Sequence, residues 1–517
     1  MHKALPVLGA VALLTPLAGQ HIHAQEQSLV LEEILVTASR RVESLQEVAM
    51  SVSAFSTDFL QDSGVNGLAA LEEYTPNLKI TPGGTDSNAT SIRIRGIGSM
   101  GTNAGIDPSV GVFIDGIYQG RAGMSISDLV DIQRVEVLRG PQGTLYGKNT
   151  AAGAISVISK LPTNEFEAFA EVSYDTNEKG ELRGMLNMPL GDSPHAVRMS
   201  AFTVDGDHLY ENTLTGKGTN NAKKYGGRAR ALFDLEGDST TEGFGQFILT
   251  LDYTKEDTDC CALSTIGYEG LSTLNSPTTE TPTAQLQQSL GMNDTGRYRL
   301  QYRTLEAGAG FSPPAADPFD DDYWFDAPVY NEVDIGGAAL EWNRDLANDS
   351  TITFLNAWRF YKSDSAYDGD FTAYDAVIGT TDIDLDQFSS ELRITSGGGE
   401  TFDYQGGLYA FVSDMDSVGT FEQGELLVDS IIVIPNTDLT MGVFFPGGTL
   451  NTDTNNYKTT SYAAFGQVIW NMSDALSATL GMRYTYERKE RKGSQITDPE
   501  SFLDIPPVAG PDTYYDS

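Results

Sequence analysis

The stretch that decides the fold is Ile132–Lys160, which reads IQRVEVLRGPQGTLYGKNTAAGAISVISK. Two apolar runs, Val135–Leu138 and Ala154–Ile158, flank a centre that is rich in glycine and contains Pro141. Runs of β-forming residues bounded by Gly and Pro are typical of strands. The stretch therefore predicts two strands joined by a structured loop.

Around this stretch, residues from about 45 to 160 form a compact region of mixed character. A region of this length has a plausible size for one domain. The predicted elements are helices Thr57–Asp62 and Asn66–Tyr74 and strands Ser91–Arg95, Gly111–Asp115, Val135–Leu138 and Ala154–Ser159.

After Pro162 the pattern changes to segments that alternate apolar and polar residues, separated by clusters of turn residues. In one such segment Leu476, Leu480 and Tyr484 share a face and oppose polar residues such as Thr479. Period-two alternation is what a membrane strand requires, with one face in lipid and one in the lumen. A soluble β-sandwich alternates in the same way and is the competing interpretation.

The linkers decide between these two interpretations. We predict eleven strands, near residues 165–176, 180–190, 195–207, 223–235, 243–256, 330–345, 349–363, 383–395, 400–414, 459–472 and 475–488. Linkers after even-numbered strands are short, whereas those after odd-numbered strands can be long. Short turns on one side and long loops on the other are the asymmetry of an outer-membrane barrel. The sequence therefore favours a barrel.

The same alternation of short and long linkers predicts that the chain is an N-terminal fragment. The eleventh strand should end on the outside, and residues 488–517 then form a loop with no strand after it. An odd number of strands leaves an open edge, whose backbone groups would lack partners in lipid.

Charge and composition exclude several classes of protein. The net charge is −39, from 33 basic and 72 acidic residues, which argues against a nucleic-acid partner. Hydrophobic residues make up 40% of the chain, so disorder is not expected. The two cysteines, Cys260 and Cys261, are adjacent and cannot form a metal centre or a disulfide framework. A vicinal disulfide and two free thiols both stay open.

The N-terminus predicts export. Residues 1–24 contain Lys3 and an apolar run from Ala4 to Leu17, which is too short to span a bilayer as a helix and is typical of a cleaved signal peptide. No later stretch reaches the roughly 18 apolar residues of a membrane helix.

Three motifs together resemble one family. LRGPQGTLYGKNTAAGAI at 138–155, SIRIRGIG at 91–98 and PSVGVFIDGIYQGR at 108–121 resemble the plug domain of TonB-dependent outer-membrane receptors. The resemblance implies an α+β plug followed by an antiparallel transmembrane β-barrel of about 22 strands, of which about eleven are present. We therefore expect a signal peptide (1–24), an N-terminal extension (25–44), a plug (45–160) and an incomplete barrel (161–517).

The sequence LEEILVTASRR at 31–41 resembles the TonB box of this family. An extended, unanchored segment with β-branched residues can add a strand to the edge of a partner's sheet. A disordered tail with a chance apolar patch is the alternative. The residues expected to bind TonB are Leu31, Glu32, Glu33, Ile34, Leu35, Val36, Thr37, Ala38 and Ser39.

The resemblance also implies ion pairs that hold a removable plug in the lumen. Candidate arginines of the plug are Arg93, Arg95, Arg134 and Arg139, and candidate acids of the barrel are Glu167 and Glu171. The alternative is that each arginine is a solvated charge on the surface of the plug.

Two groups of loop residues each allow two interpretations, which are a binding site and ordinary surface. Acids such as Asp320, Asp321 and Asp322, or Asp364, Asp368 and Asp370, offer the oxygen ligands that Ca²⁺ prefers, or are solvated surface. Tyr323, Trp324 and Phe325 offer contacts to an aromatic or iron-chelate ligand, or belong to an aromatic girdle.

The resemblance implies import driven from the inner membrane. TonB, with its inner-membrane energising complex, would capture the box and displace the plug. Expected partners are a ferric siderophore-type ligand, outer-membrane lipid and lipopolysaccharide, in the outer membrane of a Gram-negative bacterium; we expect no cofactor. Cobalamin, haem or oligosaccharide uptake, or a passive channel without energy coupling, are the alternatives. Neither a G-x-S-x-G nor an H-E-x-x-H pattern occurs, so we do not expect an enzyme.

Overall fold

The computed structural model describes residues 35–41, 43–81, 90–99, 101, 103–125, 130–176, 178–212, 215–235, 243–259, 322–323, 327–369, 377–423, 449–473 and 475–499. The expected signal peptide and the pair Cys260 and Cys261 lie outside these residues. Among the helices of the described residues, none is long and apolar enough to cross a membrane.

The N-terminal domain is built from short strands and short helices. Its strands are β1 (Leu35–Val36), β2 (Glu43–Ser44), β3 (Ser51–Ser56), β4 (Leu78–Thr81), β5 (Ser91–Ile94), β6 (Val110–Ile114), β7 (Ile117–Gln119), β8 (Ile132–Arg139) and β9 (Gly153–Ser159). Five of these strands form one sheet in the order β3-β8-β9-β6-β7. The predicted helix Thr57–Asp62 is confirmed as α1. In place of the predicted helix Asn66–Tyr74 there is a 3₁₀ helix, Leu68–Glu73, whose N-cap Gly67 provides no side-chain hydrogen bond.

The strands β8 and β9 form the centre of this sheet, as the opening stretch predicts. They pair antiparallel, and Val135, Val137 and Ile155 are completely buried between the sheet and the helical side of the domain. The loop between them turns at Gly147, whose φ of +85° favours glycine. A Cβ atom there would also lie 2.7 Å from Nη2 of Arg483, so glycine allows the loop to lie against the neighbouring strand wall.

Among the described residues of the second part of the chain, eleven strands form one antiparallel sheet, which confirms the predicted number. Its strands are β10 (Glu167–Tyr174), β11 (Lys179–Pro189), β12 (Ala196–Gly206), β15 (Ala222–Leu235), β16 (Gly245–Thr258), β18 (Tyr330–Asp345), β19 (Thr351–Asp368), β20 (Val377–Thr395), β21 (Phe402–Gln423), β22 (Thr449–Ser473) and β23 (Leu476–Pro499). Each pairs with the next in chain order. Between them, β13 (Tyr210–Asn212), β14 (Lys217–Thr219) and β17 (Asp322–Tyr323) form a small separate sheet.

The last strands are longer than predicted at the end away from the short turns. The strand β22 begins at Thr449 rather than near residue 459, and β23 continues to Pro499, so the prediction of a loop from residue 488 is wrong for residues 488–499. The missed part of β22 reads TLNTDTNNYK, with polar residues on both faces. Where both faces of a strand are wet, period-two alternation disappears and the sequence no longer marks the strand.

The two faces of the large sheet differ in chemistry. The outward face of β22 carries Tyr462, Val468 and Trp470, all about half exposed, whereas the inward Ser461 and Phe465 are buried against the N-terminal domain. On the same outward face, further from the short turns, Asn456 contacts the carboxylates of Asp414 and Asp416. The outward face is therefore an apolar band bounded by a charged rim.

We expect Val468→Arg to destabilise the membrane-inserted chain by about 2–4 kcal/mol, because it places a charge in the apolar band. Asn456→Arg is the matched control on the same face of β22. It lies beside two carboxylates, and we expect a change below about 1 kcal/mol. The free energy of unfolding by urea in lipid vesicles measures both variants. Equal effects of the two variants would contradict the assignment of the band.

Candidate functional site

The N-terminal segment, residues 35–41, is docked inside the molecule. Leu35 and Val36 pair with Ser44 and Glu43, and Arg40 N–H donates to the carbonyl of Thr37 at 2.8 Å, which closes a turn. The side chains of Val36 and Ala38 are completely buried. The expectation of an unanchored segment is therefore wrong for residues 35–39, because these apolar side chains have a packed environment. Residues 31–34 lie outside the described residues.

A buried carboxylate holds the middle of the segment. Oε1 of Glu136, a residue with no exposed surface, accepts the N–H of Thr37 at 2.7 Å and its hydroxyl at 3.1 Å. Arg134 donates from Nε to the same oxygen at 2.7 Å and from Nη2 to the Thr37 hydroxyl at 3.0 Å. Glu136, Arg134 and Thr37 thus form one closed polar cluster.

The end of the segment is tied to the large sheet at its short-turn end. Gln405 donates to the carbonyl of Ser39 at 2.9 Å. Arg41 donates to the hydroxyl of Ser396 at 2.5 Å and to the carbonyl of Tyr404 at 3.0 Å, with Asp403 at 3.9 Å. The segment therefore leaves the lumen at the end of the sheet where the linkers are short.

The side chain of Arg40 lies on aromatic rings. Its guanidinium group is 4.4 Å from the ring centroid of Tyr146 and 5.3 Å from that of Phe113. Burial raises the pKa of Tyr146 to about 12, against the opposing effect of the Arg40 charge. The hydroxyl of Tyr146 therefore stays protonated and lies 3.5 Å from the carbonyl oxygen of Thr37, to which it donates.

Ion pairs clamp the N-terminal domain to the sheet. The part of the molecule that provides the arginine is the opposite of the predicted one. Arg198 on β12 donates two hydrogen bonds to Asp131, at 2.6 and 2.7 Å, and a third to Glu167 at 3.0 Å. The side chain of Arg198 is only 2% exposed. Here the arginine comes from the sheet and the main acid from the N-terminal domain.

A second clamp lies one strand away. Arg230 on β15 donates to the carbonyls of Ser159 and Lys160 at 3.1 and 3.2 Å and is 3.8 Å from Asp115. Arg228 donates to the hydroxyl of Ser159 at 2.5 Å. Burial raises the pKa of Asp115, but the charges of Arg230 and Arg228 and the N–H of Ser159 lower it more, so the pKa lies below its usual value.

The predicted pairing of arginines of the N-terminal domain with acids of the sheet is wrong where the structure tests it. Arg134 pairs with Glu136 in its own strand, and Glu167 pairs with Arg198. Arg93, Arg95, Arg139 and Glu171 make no ion pair with a described residue. The spacing of charges in the sequence does not reveal their partners, because the partners are set by which face of each strand is inward.

On the opposite wall, strands β20–β23 hold the other side of the domain. Gln387 donates to the carbonyl of Tyr118 at 2.6 Å and accepts from the N–H of Gly120 at 3.0 Å. Lys148 pairs with Glu487 at 3.1 Å. These contacts attach to strand β7, to Gly120 directly after it and to the loop between β8 and β9.

A cleft opens beside the loop between β5 and β6. It lies between the N-terminal domain and the wall and has a cavity volume of about 40 Å³. Lys489 closes one side by donating to the carbonyl of Gly105 at 2.8 Å and to Asp107 at 2.9 Å. Other lining residues are Tyr118, Arg121, Lys148, Phe411, Met415 and Tyr457. The lining thus combines aromatic rings, three cations and the carboxylate of Asp107.

Sequence reasoning missed both Glu136 and this cleft. For Glu136 the sequence contains a signal, because it is the single charged residue within the run Val135–Leu138. The cleft has no local signal, because its lining residues are spread over more than 380 positions of the chain.

The predicted loop sites are only partly covered by the structure. The backbone of Tyr323 lies in β17, paired in parallel with β13, whereas Trp324, Phe325, Asp320, Asp321 and Asp370 lie outside the described residues. In the part of the chain that the structure describes, no group of three or more His, Cys, Asp or Glu residues is arranged to hold a metal ion.

Comparison with known proteins gives two matches to family models. Residues 44–154 match the TonB-dependent Receptor Plug Domain, and residues 282–504 match the TonB dependent receptor-like beta-barrel. Together the two models account for most of the chain.

Curated relatives match over part of their length. The pesticin receptor of Yersinia pestis is 30% identical over 219 residues, which are 42% of this chain and 31% of that receptor. The vitamin B12 transporter BtuB of Vibrio vulnificus is 31% identical over 31% of this chain and 25% of its own length. The chain thus matches about a third or less of the length of these relatives.

A solved structure shows the same fold. The ferric yersiniabactin uptake receptor FyuA of Yersinia pestis superposes with a TM-score of 0.65 at 16% identity, over 90% of this chain and 60% of that one. At this identity the similarity is one of fold.

We expect Arg198→Met to destabilise the packed N-terminal domain by about 3–5 kcal/mol, because it leaves Asp131 buried without its partner. Adding Asp131→Asn should restore most of the loss, since the buried charge is then gone. Lys79→Met, which breaks the exposed pair with Glu72, is the control, with an expected change below about 1 kcal/mol. Hydrogen exchange of β8 and β9 measures the stability. No difference between Arg198→Met and the control would contradict the clamp.

We expect the stability of the domain to fall in acid because of Asp115. Its pKa is lower in the folded state than in the unfolded one, so its contribution is present above the ordinary aspartate pKa of about 3.9 and is lost as the pH falls through the lowered value. Asp115→Asn keeps a residue that tolerates the φ of +49° and should flatten this part of the profile. The free energy of unfolding between pH 7 and 2 measures it. An unchanged profile in the variant would contradict the assignment.

Proposed function

Since the chain belongs to the TonB-dependent receptor family, we propose that it works as an outer-membrane receptor that imports a scarce ligand with energy delivered through TonB. The observation that supports this most is the docked N-terminal segment. Its residues have the alternation of a strand, and it lies at the short-turn end of the sheet, where a periplasmic partner would reach it.

The proposed TonB-binding residues are Leu31–Ser39. An extended segment adds a strand to a partner's sheet through its backbone N–H and C=O groups. In the docked state the N–H of Thr37 is bonded to Glu136, and Val36 and Ala38 are buried. Capture by TonB therefore requires the segment to leave its present contacts. Pulling on it would then act on the plug through β2 and β3.

The proposed cargo is a ferric siderophore or a similar iron complex. The name of one relative of similar fold, a ferric yersiniabactin uptake receptor, supports this class, and so does the chemistry of the residues that line the cleft. Arg121, Lys148 and Lys489 suit an anionic ligand, and Tyr118 and Tyr457 offer aromatic contact. Tyr323, Trp324 and Phe325 remain proposed ligand contacts.

A second candidate cargo is cobalamin, which the similarity to a vitamin B12 transporter favours. Haem and oligosaccharides are further candidates from the same class of importer. A passive channel without energy coupling is the rival from another class. In a passive channel, the N-terminal segment would have no binding partner outside the plug. We propose no catalytic role for the chain. We propose that lipid and lipopolysaccharide surround the outward apolar band.

We expect deletion of Glu32–Ala38 to abolish energised uptake and to leave ligand binding intact, because the strand that TonB would capture is gone. Cells expressing the receptor take up a labelled ferric siderophore, and binding at 0 °C is compared with uptake at 37 °C. A protonophore serves as the control and should reduce uptake by the undeleted receptor to the same level. Uptake at the full rate after the deletion would contradict energy coupling through this segment.

Growth on defined iron sources, or on cobalamin as the limiting nutrient, separates the candidate cargoes. If growth requires the receptor only when a ferric siderophore is the iron source, the first proposal is supported. If growth requires the receptor only when cobalamin is limiting, cobalamin replaces the siderophore as the proposed cargo.

A further inference from the structure

One wall of the large sheet carries a cluster of four arginines on its inward face. Arg198 on β12 lies directly opposite Arg230 on β15, and Arg228 shares the inward face of β15 two residues away. Asp252 lies directly opposite Arg228 and pairs with Arg359 on β19, which joins the fourth arginine to the cluster. Like charges that face each other across two strands repel. The cluster therefore requires negative charge from its surroundings.

The sheet supplies only half of that negative charge. Among the described residues, the acids of the sheet that pair with the cluster are Glu167 and Asp252. The N-terminal domain supplies the other half through Asp131 and Asp115. Four positive charges are thus balanced by four acids, and two of these acids belong to the plug.

The opposite wall balances its arginines differently. Arg393 pairs with Glu391 in its own strand at 2.6 Å, and Arg491 lies 3.9 Å from Asp453 in the neighbouring strand. Both acids are part of the sheet and stay with it wherever the plug lies. Movement of the plug therefore removes negative charge from the arginines of β12 and β15 but not from these two.

The contact between Arg198 and Asp131 has the geometry of oxyanion recognition. Nε and Nη2 of Arg198 donate to the two carboxylate oxygens of Asp131 at 2.6 and 2.7 Å, with one bond to each oxygen. A guanidinium group binds carboxylates and phosphates in this bidentate way. The plug residue thus occupies a position that suits any ligand with a carboxylate group.

The cluster keeps unused donors and open space while the plug is in place. Nε of Arg230 and Nε of Arg359 are buried and have no hydrogen-bond partner among the described residues. Arg228 and Arg359 also line a cavity of about 30 Å³ between the wall and Ile114 and Val130 of the plug. The plug therefore satisfies the arginines only in part.

The cluster lies near the short-turn end of the sheet. Arg198 is close to the start of β12 at Ala196, directly after a short turn. Lys489, which closes the cleft, lies in the middle of β23, a strand that starts at the same end of the sheet. A ligand that moves from the cleft towards the short-turn end therefore meets the arginines after the lysine.

We propose that Arg198, Arg228 and Arg230 form an oxyanion-binding site of the wall. Asp131 and Asp115 of the plug occupy this site in the present structure, and a carboxylate group of the cargo occupies it during passage. The plug carboxylates stand in for those of the cargo, so the site opens only when the plug moves. The passage of cargo rests on the proposed function, whereas the anion site itself does not.

Binding of citrate to the full chain in phospholipid vesicles tests the site. Asp115→Asn combined with Asp131→Asn removes the plug carboxylates and keeps the arginines. We expect this double variant to bind one radiolabelled citrate per chain at least tenfold more tightly than the parent, because the competing carboxylates are gone. Equilibrium dialysis at pH 7 measures the affinity. Asp58→Asn combined with Asp62→Asn is the matched control, because it neutralises two exposed acids of the plug, and it should bind citrate as weakly as the parent.

Two further substitutions in the double variant locate the bound citrate. Arg228→Gln should return the affinity to the level of the parent, whereas Arg491→Gln on the opposite wall should leave it unchanged. Hydrogen exchange of β8 and β9 checks that the plug is folded, and Asp115→Asn alone replaces the double variant, with the same expectations, if that protection is lost. Citrate binding no tighter than in the parent, or unaffected by Arg228→Gln, would overturn the site.

Uptake of a labelled ferric siderophore by cells tests the role in passage. Arg228→Gln in the otherwise unchanged chain should leave binding at 0 °C as it is and lower uptake at 37 °C at least fivefold, whereas Arg491→Gln should change neither. Uptake by Arg228→Gln at the rate of the parent would overturn the role in passage. If the parent itself shows no energised uptake, the proposed function fails, and the citrate experiment still decides the anion site.

Discussion

Backbone hydrogen bonding in a medium without water is the constraint on which the rest of the structure depends. Each strand of the large sheet is paired with its neighbour in chain order through a nearly unbroken register, and the pairs β21–β22 and β22–β23 each extend over more than twenty residues. In lipid, N–H and C=O groups have no other partner. Outward side chains are then apolar over the band and charged beyond it, and the inward face is left to hold the N-terminal domain.

The inward face solves a different problem, which is to hold a domain firmly with polar contacts. The wall strands β12 and β15 provide arginines to Asp131, Asp115 and the carbonyl of Ser159, all close to the point where the domain joins the sheet. The wall strands β20–β23 instead contact loops and the N-terminal segment, through Gln387, Gln405 and Lys489. Arginine clusters thus fix the plug near its covalent link to the sheet. Elsewhere the plug is held by uncharged hydrogen bonds and by single ion pairs.

Much of the fold follows from the sequence, and the parts that do not have physical reasons. Period-two alternation with uneven linkers predicted eleven strands, and the Gly-rich stretch predicted the β8–β9 pair. Strand ends such as Thr449–Lys458 were missed because alternation is absent where both faces are wet. The ion pairs were mispredicted because register, not chain position, brings Arg198 to Asp131. The docking of Val36 depends on a buried acceptor about a hundred residues away.

The central claim is that the strand proposed for TonB is withdrawn into the plug until it is released. Hydrogen exchange of the Thr37 amide in the full chain, in lipid vesicles, tests it most directly, because this N–H is bonded to a carboxylate that water does not reach. The account predicts exchange at least a hundredfold slower than in a free peptide of the same residues, a ratio that corresponds to about 2.7 kcal/mol of local protection. Exchange at the rate of the free peptide would contradict it.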